Sequence, residues 1–65
     1  MNLIDHKEQF LEILYERGSS GRQWAKQHNY RYEYVIGLLN GRIRGQRGEV
    51  RQIRKHIEQE LAQAI

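Results

Sequence analysis

Arginine is concentrated in the second half of the chain, where its chemistry suits the binding of phosphate and other anions. Residues 31–55 hold seven Lys or Arg against two Asp or Glu, whereas residues 1–30 hold four of each. Within this region the segment 41–48, GRIRGQRG, predicts a mobile basic loop. The asymmetry indicates a polyanionic partner, with a merely solvated basic face as the alternative. The residues predicted to contact phosphate are Arg42, Arg44, Arg47 and Arg51.

Other chemistry is poorly represented in the chain. Because there is no cysteine, neither a disulfide framework nor a thiolate metal site is expected. No paired carboxylates, nucleophile with a base, or nucleotide-binding glycine fingerprint is present, so neither an enzyme nor a bound cofactor is predicted. A metal site is not expected either, because the histidines do not converge at a metal-ligand spacing. These histidines are His6, His28 and His56.

The elements that must position the arginines are predicted to be helices. Proline is absent and no long alternating apolar pattern occurs, which favours a single all-α domain over residues 1–65. Helix 1 is predicted over 5–17, with Asp5 and Glu8 as a capping box and Gly18 as its stop. Helix 2 is predicted over 21–28, with Ser20 and Gln23 as its capping box.

The next two helices flank the basic loop. Helix 3 is predicted from 31 or 32 to 39, followed by the stop Asn40-Gly41, and helix 4 over 49–64. Tyr30, Tyr32 and Tyr34 alternate, as in a strand that stacks single-stranded bases, but residues 35–39 continue with helical spacing. The helical interpretation is therefore preferred for this segment.

Helix 4 carries one continuous apolar stripe of residues three or four apart. Val50 and Ile53 are expected to pack on the core. The rest of the stripe exceeds what a three-helix core needs, so a second chain is predicted to cover it, the alternative being an intramolecular return onto helix 1. This predicted dimer interface consists of Ile57, Leu61, Ala64 and Ile65.

Residues 24–41, WAKQHNYRYEYVIGLLNG, have the spacing of two helices locked at a fixed angle. A small residue is needed at Ala25, where helix 3 crosses helix 2, and Asn29 can turn the chain within very few residues. Val35 and Leu38 would face back toward helices 1 and 2, and Trp24 is predicted to be core. These features are typical of a helix-turn-helix whose second helix can enter the major groove of DNA.

Residues 20–41 resemble the helix-turn-helix of lambda-repressor/Cro-type regulators. Their recognition helix commonly closes in a leucine pair followed by Asn-Gly and a basic residue, as LLNGR does at 38–42. The arrangement WA…Y…V..LLNGR.RG.RGE also resembles small phage and prophage DNA-binding proteins, including those of Mu-like phages. The chain departs from the pattern at His28, usually small and apolar, at Asn29, usually Gly, and at Arg31, often a Ser or Thr cap.

The resemblance implies which side chains would meet double-stranded DNA. Those that would face the groove are Arg31, Tyr32, Glu33, Ile36, Gly37 and Asn40. Arginine can grip guanine O6 and N7, and glutamate can accept from cytosine N4. Gly37 either lets the DNA approach the backbone or eases packing against a neighbouring helix. The backbone flanking the groove would meet the start of helix 2, at Ser20, Arg22 and Gln23.

The expected function is therefore a transcriptional regulator, more specifically a repressor of a phage-type or own operon. A homodimer on a palindromic operator is expected, because two recognition helices one DNA turn apart read such a site. The alternatives are an antitoxin-like module that binds a protein through helix 4, and an architectural DNA protein without sequence preference. With no apolar run long enough for a membrane and no signal-peptide pattern, the expected location is the cytoplasm of a bacterium or phage-infected cell, near the nucleoid.

Overall fold

The apolar spacing and the stop residues of the sequence place the helices. The computed structural model describes residues 3–64. Its helices are α1 (Lys7–Glu16), α2 (Gly21–Gln27), α3 (Tyr32–Asn40) and α4 (Gly48–Gln63). The predicted all-α class and the four successive helices are confirmed for this part of the chain, and each helix end lies within two residues of its predicted position.

One of the two hydrogen bonds of the capping box predicted for α2 is present, whereas the capping box predicted for α1 is wrong. Ser20 Oγ accepts a hydrogen bond from the Gln23 amide at 3.2 Å, which satisfies one of the amides left open at the helix start. Among residues 3–64, no side-chain hydrogen bond caps α1. The chain enters α1 through a backbone turn, in which the His6 amide donates to the Leu3 carbonyl at 3.1 Å. Asp5 is an exposed residue within that turn and therefore does not cap the helix.

Helices α1, α2 and α3 each end in the same kind of turn, with a left-handed residue just past the helix. The left-handed residues are Gly18, Asn29 and Gly41, with φ of 73°, 58° and 83°. In each turn the next amide reaches back five residues. These bonds are Ser19 to Leu14 at 2.8 Å, Tyr30 to Ala25 at 2.8 Å, and Arg42 to Gly37 at 2.9 Å. They satisfy carbonyls that the helices leave open, and Asn29 makes the sharp turn between α2 and α3 that the sequence predicted.

The helices share one apolar core around Trp24. The Trp24 side chain is 2% exposed, as predicted for a core residue, and the Phe10 ring meets it edge-on with 5.2 Å between ring centroids. Tyr30 packs against this core while remaining partly buried. The buried apolar residues are Leu3, Phe10, Leu14, Trp24, Ala25, Val35, Leu38, Leu39, Ile53, Ile57 and Leu61. Since all four helices contribute, the core fixes α3 against both α2 and α4.

Helix α4 buries the middle of its apolar stripe inside the protein's own core, and Ile53 packs there as predicted. Val50, which was also expected to pack on the core, is only partly buried and lies outside the core cluster. Ile57 is 0% exposed and Leu61 is 1% exposed. Their assignment to a dimer interface is therefore wrong, because neither side chain has free surface to offer a second chain. The structure shows the alternative, in which α4 returns onto α1 and also packs on α3. Of the other two predicted interface residues, Ala64 is exposed and Ile65 lies outside the described residues.

Candidate nucleic-acid interface

The loop between α3 and α4, residues 41–47, packs onto both helices instead of projecting from them. Gly45 is buried with a φ of 71°. A Cβ at Gly45 would lie 2.7 Å from Leu38 Cδ2 and 3.1 Å from Arg54 Cδ, so a larger residue would not fit. The Arg54 guanidinium also donates to the Arg44 carbonyl at 3.3 Å. The centre of this loop, which was expected to be mobile, is held by these contacts, and its arginines are presented from a defined backbone.

The arginines predicted to contact phosphate differ from most others in having no acidic partner. Within residues 3–64, Arg17 pairs with Glu60 at 2.7 Å and Arg54 pairs with Glu58 at 3.4 Å. The side chains of the predicted phosphate-binding set are exposed, and none forms an ion pair with another described residue. This set is Arg42, Arg44, Arg47 and Arg51. Their charge is therefore available to an external anion.

Arg31 and Glu33 stand exposed together at the start of α3. Their side chains are 67% and 72% exposed, and Arg31 Nη1 lies 3.9 Å from Glu33 Oε1. The Arg31 guanidinium also lies over the Tyr34 ring, 5.8 Å from its centroid. An ion pair this exposed contributes only about 0–1 kcal/mol. Both groups can therefore exchange this contact for one with a ligand at little cost.

The start of α2 is less open to a ligand than the sequence suggested. Ser20 Oγ is occupied by its capping bond, while Arg22 and Gln23 remain exposed. The Arg22 guanidinium lies over the Tyr32 ring, 4.9 Å from its centroid. That ring packs on the first turn of α2, where a Cβ at Gly21 would lie 3.3 Å from Tyr32 Cε1. Tyr32, which was predicted to face the groove, is thus partly buried against α2.

Gly37 is covered by the loop and is not open to DNA, which corrects its assignment to the major groove. It is buried, and a Cβ built on it would lie only 2.6 Å from Ile43 Cδ1. Of the two explanations for a glycine in the middle of α3, close packing is the one that the structure shows. The neighbour is the loop residue Ile43 and not another helix.

The last turn of α3 is joined to α1 by a contact that the sequence gave no signal for. Lys7 Nζ donates to Asn40 Oδ1 at 2.6 Å, across 33 positions of the chain. Asn40 is exposed, as expected of a groove-facing residue, and Ile36 is partly exposed and lies outside the core cluster. Lys7 therefore adds a positive charge to this end of α3.

Two of the three histidines lie in contact within an aromatic cluster, which the sequence did not predict. The His28 and His56 ring centroids lie 4.4 Å apart, and the Trp24 ring lies within about 5 Å of both. Tyr30 completes the cluster, with its hydroxyl 3.0 Å from His56 Nδ1. Because His28 follows α2 and His56 lies on α4, this aromatic cluster joins the two helices.

The electrostatics of the cluster disfavour a charged His56. Burial lowers the pKa of His56 below its ordinary value of 6.5, His28 lowers it further, and the Glu60 carboxylate raises it. Glu60 itself accepts from Trp24 Nε1 at 3.2 Å and pairs with Arg17. Within residues 3–64, no group of three or more His, Asp or Glu side chains is arranged to hold a metal ion.

Comparison with known proteins adds no relative to this picture. No family model, curated protein or solved structure matches the chain. In the part of the chain that the structure describes, none of the helices has the length and apolar character needed to cross a membrane.

Proposed function

We propose that the protein is a sequence-specific double-stranded DNA-binding transcriptional regulator that represses by occupying a promoter region. In this proposal α2, the turn at Asn29 and α3 act as a helix-turn-helix. Helix α3 enters the major groove, and the loop after it binds the phosphates alongside.

The observation that carries the proposal is the set of unpaired arginines on the loop that follows α3 and at the start of α4. Within the described residues, Arg42, Arg44, Arg47 and Arg51 are exposed and lack acidic partners, although the same chain pairs Arg17 and Arg54 with glutamates. Four unneutralised guanidinium groups within ten residues repel one another, and a polyanion relieves that repulsion. Each phosphate they neutralise releases counterions, which makes the affinity depend steeply on salt.

Sequence preference is assigned to the exposed start of α3. Arg31 has the bidentate geometry that matches guanine O6 and N7, and Glu33 can accept from cytosine N4. Since both side chains are more than two-thirds exposed and share only a weak ion pair, little is lost when they turn to bases. Each good base contact would contribute about 1–3 kcal/mol of discrimination.

The proposal includes two copies on a palindromic operator, with their α3 helices about 34 Å apart. Because Ile57 and Leu61 are buried in the core, the contact between copies must use other surfaces. Sedimentation of the protein with its operator duplex measures the stoichiometry. One copy per duplex, with a footprint over a single half-site, would refute the dimer.

The two alternatives would bind their partners through different parts of the surface. An antitoxin-like module would bind its partner through the apolar stripe of α4, but that stripe is occupied by the core. An architectural DNA protein would use the arginine loop and would gain nothing from Arg31 or Glu33. The presence or absence of sequence preference therefore separates this second alternative from a regulator.

The test is to measure affinity for the protein's own upstream region and for random DNA between about 50 and 200 mM salt. We expect the upstream region to be bound more tightly at every salt concentration.

Arg31→Ala should relax base preference by about 1–3 kcal/mol, whereas Arg44→Ala should weaken all sequences alike and reduce the salt slope by about one. Lys26→Ala removes an exposed charge from α2 as the control and should change neither quantity. Equal affinity for both DNAs would refute the proposal. If Arg31→Ala and Arg44→Ala changed base preference and salt slope in the same way, the placement of α3 in the groove would be wrong.

A further inference from the structure

An open groove runs between the outward face of α3 and the loop that follows it. Its lining residues are Glu33, Tyr34, Gly37, Arg42 and Ile43, and its volume is about 290 Å³. At about 30 Å³ per water molecule, it holds several solvent molecules and is not a packing defect. The groove places one acidic and one basic side chain on the same small surface.

Ile43 fixes the position of Arg42 in this groove. Its side chain lies on Gly37, whose missing Cβ makes the room. The amides of Arg42 and Ile43 both donate to the Gly37 carbonyl, at 2.9 and 3.2 Å. The backbone of Arg42 is therefore held at the end of α3, one turn beyond Gly37, and does not follow the rest of the loop toward α4.

We propose that Arg42, unlike the other three arginines of the predicted phosphate-binding set, reads a base and does not contact a phosphate, and that Ile43, packed on Gly37, is its positioning residue. This inference rests on the proposed function and names the part of the DNA that one residue of the site recognises. Arg42 would grip guanine O6 and N7 on the major-groove edge. Glu33 would accept from the amino group of a cytosine or adenine at a neighbouring base pair.

The charge of the groove is the first reason for a base instead of a phosphate. Glu33 lines the same groove as Arg42, and its carboxylate, which only a weak exposed ion pair with Arg31 offsets, repels a phosphate placed there. A base edge offers acceptors for the guanidinium and donors for the carboxylate on adjacent pairs, so both side chains are satisfied. Arg42 has no ion pair within the described residues, and its five donors are free for that contact.

The spacing is the second reason. Glu33 and Gly37 are four residues apart and so lie on one face of α3, about 6 Å apart along its axis. Base pairs are stacked about 3.4 Å apart, so two side chains separated by this length can reach different base pairs. Arg42, held just beyond Gly37, would then contact a different base pair from the one that Glu33 contacts.

The experiment begins with selection of preferred duplexes from a random library by the unaltered protein. Affinities are then measured for the preferred duplex and for each single-base-pair change, using Arg42→Ala, Arg42→Lys and Arg47→Ala. We expect Arg42→Ala to lose discrimination at one G·C pair by about 5- to 150-fold and to retain it elsewhere. Arg42→Lys should lose most of the same discrimination, because an ammonium cannot form the bidentate contact. Arg47→Ala should weaken all duplexes equally and lower the salt slope by about one.

Two results would overturn the inference in distinguishable ways. If Arg42→Lys retained full discrimination while Arg42→Ala weakened all duplexes equally, Arg42 would be a phosphate contact and only this inference would fail. If the unaltered protein selected no preferred duplex, the proposed function would fail together with it. Ile43→Ala tests the positioning role, and it should reduce discrimination at the same base pair as Arg42→Ala while leaving the salt slope unchanged.

Discussion

The absent side chain of Gly37 leaves room for Ile43 on the outer face of α3. Glycine inside a helix costs about 1 kcal/mol relative to alanine, so its use here needs a compensating contact. Ile43 provides that contact by covering the backbone of α3 and fixing the start of the loop. Gly37 therefore lowers the stability of α3 slightly, and the packing of Ile43 that it allows fixes the position of Arg42.

The packing of Ile43 on Gly37 predicts that substitutions at these two positions have non-additive effects on the free energy of unfolding. In Gly37→Ala, the new Cβ would lie 2.6 Å from Ile43 Cδ1, so Ile43 must move and the gain in helix propensity is offset. In the double variant with Ile43→Ala, the space is free and the gain of about 1 kcal/mol is retained. A double-mutant cycle by urea unfolding should give an interaction energy of about 0.5–3 kcal/mol, favouring the double variant.

Gly48 offers a matched control for the cycle, because a Cβ there meets nothing within 4 Å although its φ of 60° disfavours other residues. Gly48→Ala should destabilise the protein by the same amount with either residue at position 43. Additive effects of Gly37→Ala and Ile43→Ala would contradict the packing of Ile43 on Gly37.

At the scale of elements, local signals in the sequence were sufficient to place the helices. Gly18, Asn29 and Gly41 end three of them because left-handed backbone is accessible to glycine and tolerated by asparagine. Ser20 starts α2 because its hydroxyl reaches an amide three residues on. The Asp5 signal had the same form but failed, since a backbone turn from Leu3 already leads the chain into α1.

The contrast between the two capping signals predicts a difference in stability. Ser20→Ala should lower the free energy of unfolding by about 0.5–2 kcal/mol, because the Gln23 amide loses its acceptor. For a domain of this size, a loss of 1 kcal/mol lowers the melting temperature by about 4–8 °C. Asp5→Ala is the control, and calorimetry should show almost no change. A larger loss for Asp5→Ala than for Ser20→Ala would mean that Asp5 does cap α1.

At the scale of the whole molecule, charge is segregated between elements. The exposed residues Glu8, Glu12 and Glu16 follow one another at intervals of four along α1, whereas the unpaired arginines lie on the loop and the first turns of α4. Such a distribution orients the molecule in the field of a polyanion and speeds association at low salt. The sequence showed this asymmetry directly, because charges that follow one another along the chain remain together in the fold.

The contacts that the sequence could not predict join residues far apart along the chain. Lys7 and Asn40 are 33 positions apart, and Trp24 and Glu60 are 36 positions apart. Helical periodicity identifies the face of a helix but not the partner that the face will meet. The positions of the helices along the chain and the concentration of basic residues after α3 were therefore predictable. The partner of the α4 stripe, the packing of Ile43 on Gly37 and the histidine cluster were not, because they depend on how the helices pack.

The histidine cluster makes the stability of the whole fold depend on pH. Because the pKa of His56 is lowered in the folded state, the unfolded chain binds more protons in the range just below 6.5. The contribution of His56 to stability is therefore complete above pH 6.5 and is lost as the pH falls through the lowered value. Among the described residues that face the ring, His28 adds to this loss, the Tyr30 hydroxyl contacts the ring at Nδ1, and the Glu60 carboxylate, shared with Arg17, opposes the loss.

Urea unfolding between about pH 8 and pH 5 measures this dependence, since histidine titrates in that interval. The unaltered protein should lose stability toward the acid end, and His56→Gln should flatten the curve, because an amide can still meet the Tyr30 hydroxyl but does not titrate. His28→Gln should give an intermediate slope, since it removes one cause of the lowered pKa and leaves the larger one, burial. His6→Gln is the control outside the cluster. Its loss of stability toward acid should equal that of the unaltered protein. If His56→Gln and the unaltered protein lost stability equally toward acid, His56 would not be the group that links folding to pH.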